Sequence, residues 1–143
     1  MGWRTWPLTS WRAAACCGVI AALGCGGGGQ EGPKTVPLSG KVVFTKGGSV
    51  ARLNTRGAGV EFQSVEQPEV RASGSIEEDG TFMMGTRYGD AAKSGVVPGQ
   101  HRVRLTLDDE FKHLVAPQFL QFERSGITVT APSDQPVEVK VWK

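Results

Sequence analysis

Long apolar runs, cysteines, histidines and an excess of one charge are all scarce in this sequence, and each scarcity closes off a class of protein. The apolar run Ala13–Leu23 stops well short of the ~18 residues that a membrane-spanning helix needs. All three cysteines, Cys16, Cys17 and Cys25, lie at or before position 25. A domain built from residues 26–143 therefore has no internal disulfide and no thiolate for a zinc site. Lys and Arg number 16 against 14 Asp and Glu, and Arg4 with Arg12 account for the difference. The remaining chain is formally neutral, which argues against the basic footprint of a nucleic-acid protein and against a polybasic membrane tract. Three of the four tryptophans, Trp3, Trp6 and Trp11, precede the apolar run, leaving Trp142, Tyr88 and six Phe downstream. No Gly-x-Ser-x-Gly elbow is present, so a Ser-His-Asp hydrolase lacks its turn.

What is present begins with an address. Residues 1–12 carry Arg4 and Arg12 and no acid; Ala13–Leu23 comes next, then Gly24-Cys25 and the glycines 26–29. A positive segment, a short apolar segment and small residues at a cut site form a secretory signal peptide, expected here over 1–24. An N-terminal helix of the folded domain is the bland alternative, disfavoured by the four glycines. The box Ala22-Leu23-Gly24-Cys25 resembles the lipobox of bacterial lipoproteins. That resemblance implies cleavage before Cys25, a diacylglyceryl thioether on its sulfur and usually an N-acyl chain, the two or more chains that stable anchoring requires. Leu23 stands one place later than the family's usual leucine, and Ala22-x-Gly24 also suits the ordinary signal peptidase, which would cut the same bond without lipidation. Gly26, where the family's inner-membrane proteins tend to carry Asp, favours the outer membrane of a two-membrane envelope.

Residues 25–37 read as lipidated Cys plus a glycine-rich tether, since they offer little to bury. The glycines are not a phosphate loop, because no Gly-Lys-Ser/Thr comes after them. From Leu38 to Lys143 the pattern changes to period two. Leu38, Gly40, Val42 and Phe44 share a face; so do Val60 and Phe62; Val70, Ala72, Gly74 and Ile76; Phe82, Met84 and Thr86; His101, Val103, Leu105 and Leu107; Ile127, Val129 and Ala131; and Val137, Val139 and Val141. Charged and polar residues fill the alternate places. Seven such runs, punctuated by Gly, Pro and Asp79-Gly80, predict an all-β domain over 38–143: a seven-stranded antiparallel β-sandwich. Val137–Trp142 is a candidate edge strand able to pair with another chain.

The series Leu38-Ser39-Gly40-Lys41-Val42-Val43-Phe44, Ala72-Ser73-Gly74-Ser75-Ile76, Asp79-Gly80-Thr81-Phe82 and Val97-Pro98-Gly99-Gln100-His101-Arg102-Val103 resembles the small bacterial lipoproteins with a carboxypeptidase-regulatory-like domain. The resemblance runs from Leu38 to the end of the sequence. It implies a transthyretin- or immunoglobulin-like sandwich that is non-catalytic and spaces, stabilises or binds. Two segments depart from the pattern: Ala91–Gly95 is longer than the usual link, and Leu53-Asn54-Thr55-Arg56 replaces a compact turn.

Candidate chemistry is sparse. His101 falls in phase with a core face and His113 in a loop; a metal site would need a third ligand. Three acidic clusters, Glu77-Glu78-Asp79, Asp90 and Asp108-Asp109-Glu110, suit calcium by ligand type, but lack the Asp-x-Asp-x-Asp-Gly spacing. Solvated turns are the plainer reading. A glycosidase would need two carboxylates at a defined separation, which sequence does not supply. Trp142 and Tyr88 are the aromatic candidates for a sugar platform. The sequence thus predicts a lipid-anchored, non-enzymatic module of a bacterial envelope, touching the membrane through Cys25, with no cofactor and no nucleic-acid partner. A carbohydrate-, peptide- or calcium-binding module is the alternative, and an envelope hydrolase the third choice.

Overall fold

The structure, a computed structural model, describes residues 32–143. Its strands are β1 (Ser39–Lys46), β2 (Gly59–Ser64), β3 (Arg71–Ser75), β4 (Thr81–Met83), β5 (Gly85–Tyr88), β6 (Ala91–Ser94), β7 (Gly99–Thr106), β8 (Thr128–Ala131) and β9 (Val137–Trp142), with one short helix, α1 (Val50–Asn54), after β1. Two 3-10 helices, Asp109–Leu114 and Pro117–Leu120, lie between β7 and β8. The strands form a three-stranded sheet in the order β4-β1-β9 and a six-stranded sheet in the order β6-β5-β3-β2-β7-β8. Mostly β, with two sheets sharing one core, the chain has a sandwich-like arrangement.

The period-two faces are what the core is made of. Val42, Phe82, Val139 and Val141 are buried from the small sheet; Val60, Phe62, Ala72, Val103, Leu105 and Val129 are buried from the large one. Phe62 meets Phe82 edge-on, ring centroids 6.1 Å apart, so one aromatic pair spans the layers. That geometry sets the aromatic quadrupoles favourably. Gly40 on β1 makes room for it, because a Cβ there would strike the Phe82 ring and the Val137 carbonyl. Helix α1 buries Leu53 completely, and Asn54 Nδ2 donates to the Ile76 carbonyl at 2.9 Å.

Three features differ from the seven antiparallel strands expected from sequence. The run Phe82–Thr86 is one alternating pattern but two strands. The chain leaves the small sheet after Met83 and joins the large one at Gly85, with the Met84 amide bonded to Leu38 O and its carbonyl to the Gly95 amide. β6 adds the ninth strand: Ala91-Ala92-Lys93-Ser94 has no apolar alternation, and its pairing comes from the Gly89-Asp90 turn and the β5 edge. β9 runs parallel to β1, with Val42 opposite Val139. Alternation encodes which face is buried but not strand direction, which here is set by the crossing between sheets after β8.

Of the stretch read as tether, residues 25–31 lie outside the described residues, and Gly32–Pro37 are docked on the domain. Val36 and Val96 exchange backbone bonds of 2.8 and 2.9 Å. Lys93 Nζ donates to the Gly32 carbonyl at 2.8 Å, and Gly32 is buried so close to Tyr88 that an added Cβ would lie 3.3 Å from its side chain. Glycine content signalled a linker, whereas this end is held by backbone bonds that composition does not report.

Candidate functional site

The residues singled out in the sequence are dispersed by the fold. Cys25, the lipidation candidate, lies outside the described residues. Glu77, Glu78 and Asp79 form the turn before β4, where Asp79 Oδ1 accepts from the Thr81 hydroxyl at 2.6 Å and amide at 2.9 Å. These bonds hold the Asp79 carboxyl below its ordinary pKa. Asp90 is exposed in the β5–β6 turn, and Asp108, Asp109 and Glu110 open the first 3-10 helix. The Lys112 ammonium bonds the Asp109 carboxylate and lowers its pKa. Among the described residues, no three of His, Cys, Asp and Glu approach closely enough to share a metal ion. The acidic clusters therefore stay separate turns.

His101 is 2% exposed on β7, its Nε2 2.8 Å from the Val97 carbonyl, and its Nδ1 has no hydrogen-bond partner. A carbonyl oxygen only accepts, so Nε2 donates in this bond. The ring sits beside Phe62, centroids 6.0 Å apart. His113 is exposed, with Nδ1 2.9 Å from Glu110 O. Trp142 is 39% exposed and packs edge-on against Phe119 at 4.5 Å. Tyr88 lies on β5 of the other sheet, against Gly32. The two aromatics thus serve different elements and do not form one platform.

No family model, curated protein or solved structure matches the chain. Surface geometry is then the only guide to a site, and two surfaces stand out. One is a groove of about 320 Å³ along β4 and the β8–β9 connection, lined among others by Leu38, Met83, Met84, Gly95 and Gln135. Met83 is 80% exposed there.

The other is the outer face of the six-stranded sheet. Register sets Arg71 opposite Gln63, Gln63 opposite Arg102 and Arg102 opposite Thr128. The Ala72–Thr86 pairing, carried on by one residue, brings Arg87 beside Arg71. One row across four strands therefore reads Arg87, Arg71, Gln63, Arg102, and Arg71, Arg87 and Arg102 are exposed. The next row holds Glu61 and Arg104. Glu61 Oε2 accepts from Arg104 Nε at 2.7 Å, and Oε1 lies 3.6 Å from Arg71 Nη1. Phe122, buried in the turn after the second 3-10 helix, has the Arg104 and Arg71 guanidinium carbons 4.5 and 5.5 Å from its ring centre. Cation–π contacts of this kind fix the turn to the sheet. The second row is thereby partly covered; in the first, Arg71 shares Glu61 and the Phe122 ring, and Arg87 and Arg102 are open.

The sequence displayed Arg71, Arg102 and Arg104 as polar partners of their runs. It held no signal that strand pairing would line them up, because that depends on which strands are neighbours.

Proposed function

We propose that this chain is a lipid-anchored, non-enzymatic module of a bacterial cell envelope, with a diacylglyceryl thioether on Cys25 and a transthyretin- or immunoglobulin-like sandwich as its working domain. The observation that carries it is the box Ala22-Leu23-Gly24-Cys25 behind a positive and then an apolar segment. The domain takes hold of the chain seven positions after Cys25, so an anchored sandwich would stay close to its membrane. Gly26 favours the outer membrane. Intact mass of the protein from its own envelope, beside a Cys25→Ala form, tests the anchor. A chain starting at Cys25 and carrying a diacylglyceryl group is the expected result; an unmodified Cys25 refutes it.

A second reading, a peptide-binding module, is favoured by Met83. An extended segment laid along the β4 edge would gain main-chain bonds and cover this side chain. Titration with extended apolar peptides would then shift the NMR signals of Met83 and Leu38 and leave those of Trp142 unmoved.

A further inference from the structure

The formal charge of the chain beyond Arg12 is balanced, but the fold does not distribute it evenly. The turns take most of the acids: Glu66 and Glu69 between β2 and β3, beside the Gln63–Arg71 pair, Glu77, Glu78 and Asp79 before β4, Asp90 after β5, Asp108 and Asp109 after β7. The outer face of the large sheet takes Arg71, Arg87, Arg102 and Arg104 against one carboxylate, Glu61; the turn laid over it adds Glu123 and Arg124, which cancel. Among the described residues, neither Arg87 nor Arg102 makes an ion pair with a carboxylate, and the two bonds of Glu61 go to Arg71 and Arg104. Like charges directly opposite on neighbouring strands destabilise a sheet. Arg87 beside Arg71 is such a pair, and exposure leaves Arg87 little packing to offset it. A row of guanidinium groups in a rigid sheet, about 14 Å from the first strand to the fourth at the usual strand spacing, presents forked donors to oxyanions. Phosphate fits them, since, like a carboxylate, it accepts two guanidinium N–H bonds at once.

Position suggests where the phosphates are. The β5–β6 hairpin carries Arg87 on its outer face and, through Tyr88 and Lys93, clasps Gly32. Cys25 is seven positions earlier, and seven residues span at most about 25 Å. A lipid on Cys25 therefore keeps Gly32 within that distance of a bilayer, with Arg87 across the hairpin from the Tyr88 and Lys93 side chains that hold it. Tethering over so short a span raises the local concentration of headgroups into the millimolar range, so individually weak contacts suffice.

We propose that the arginine row Arg87, Arg71 and Arg102 on the outer face of the large sheet docks the domain onto the anionic phosphate headgroups of the membrane that holds its lipid. This rests on the anchored reading above, and it adds an orientation to it: the large sheet toward the bilayer, and the groove beside Met83 left for other partners.

The test uses the full chain with Cys25→Ala, which has no lipid, and vesicles of phosphatidylcholine with or without phosphatidylglycerol. Preferential co-sedimentation with the phosphatidylglycerol vesicles, weakening as salt rises, is expected. Arg71→Gln, Arg87→Gln and Arg102→Gln should each lower that partitioning about fivefold, from the usual contribution of one basic residue at an anionic surface. The triple Arg→Lys form keeps the charge and should still bind, which separates lost charge from a lost fold. Attachment through the leader, whose Arg4 and Arg12 also favour anionic vesicles, is common to all forms, so the row is read from the difference between the parent and the Gln forms. Equal partitioning of the parent and the triple Gln form overturns the proposal. So does binding of the parent to an acidic polysaccharide without binding to the anionic vesicles. The mass of Cys25 is read separately: an unlipidated Cys25 with arginine-dependent vesicle binding removes the anchor alone, and a lipidated Cys25 with arginine-independent binding removes this docking face alone.

Discussion

Asp79 shows how much one side chain does in a turn that has no other chemistry. Its carboxylate accepts first from the Thr81 hydroxyl and then from the Thr81 amide, and both bonds favour the charged form. The folded pKa therefore lies below the ordinary 3.8, and the folded state binds fewer protons than the unfolded one around that pH. The stabilisation is present above pH 3.8 and is lost as pH falls through the lowered folded value. Thr81→Val removes the stronger bond and should raise the Asp79 pKa toward 3.8. The melting difference between this variant and the parent should be small at neutral pH, because Asp79 is exposed, and should vanish in acid. An NMR titration of the Asp79 carboxyl is the sharper measurement, and an unmoved pKa in Thr81→Val would refute the assignment. Glu61 is the opposite case. Its side chain is only 15% exposed and serves two arginines and, through them, Phe122. It belongs to the structure of the outer face, whereas Arg87 and Arg102 stand outside that network.

At the scale of elements, the strand faces were legible in the amino-acid pattern, and the connections were not. Val60 with Phe62 and Val103 with Leu105 are buried as their alternation requires, because a half-buried sheet imposes period two on any sequence that forms it. β6 left no such trace: Ala91 and Ala92 are exposed, and its place comes from a hairpin, not from burial. The split of Phe82–Thr86 was hidden for a related reason, since all three apolar-phase residues stay buried while the chain changes sheet. Of the candidate site, the single arginines were visible and their alignment was not. Gly95 marks another hidden joint. Its φ is +89°, and a Cβ there would collide with the Val36 carbonyl, the acceptor for the Val96 amide. Gly95→Ala should cost roughly 1–3 kcal/mol, the usual range for such backbone strain. It should also strip hydrogen-exchange protection from the Val36 and Val96 amides before the rest of the sheet. Protection left intact at both amides would show that the N-terminal segment docks by some other contact.

At the scale of the molecule, the question is whether two sheets of unequal size unfold together. The three-stranded sheet has few backbone neighbours of its own, and three strands hold only when their apolar face is covered. Here the cover is the large sheet, and the contact runs through Phe62 and Phe82. If the core is shared, damage on either side must be felt by both. Phe62→Ala, on the large sheet, should cost about 3–5 kcal/mol. Val139→Ala, fully buried on the small sheet, should cost about 2 kcal/mol from lost apolar burial and the cavity left behind. In the chain from Cys25 on, where Trp142 is the one tryptophan, each should lower a single melting transition, with far-ultraviolet circular dichroism and Trp142 fluorescence moving together, as they must in a two-state unfolding. The two signals report different layers, since Trp142 belongs to the small sheet and most strands to the large one. A Val139→Ala protein whose Trp142 signal melts well before its circular dichroism would mean that the small sheet is a separable flap. The rigid placement of the outer arginine face would then depend on the large sheet alone. Coincident transitions would mean that whatever fixes the large sheet in place, at a membrane or elsewhere, also fixes the groove beside Met83 on the small one.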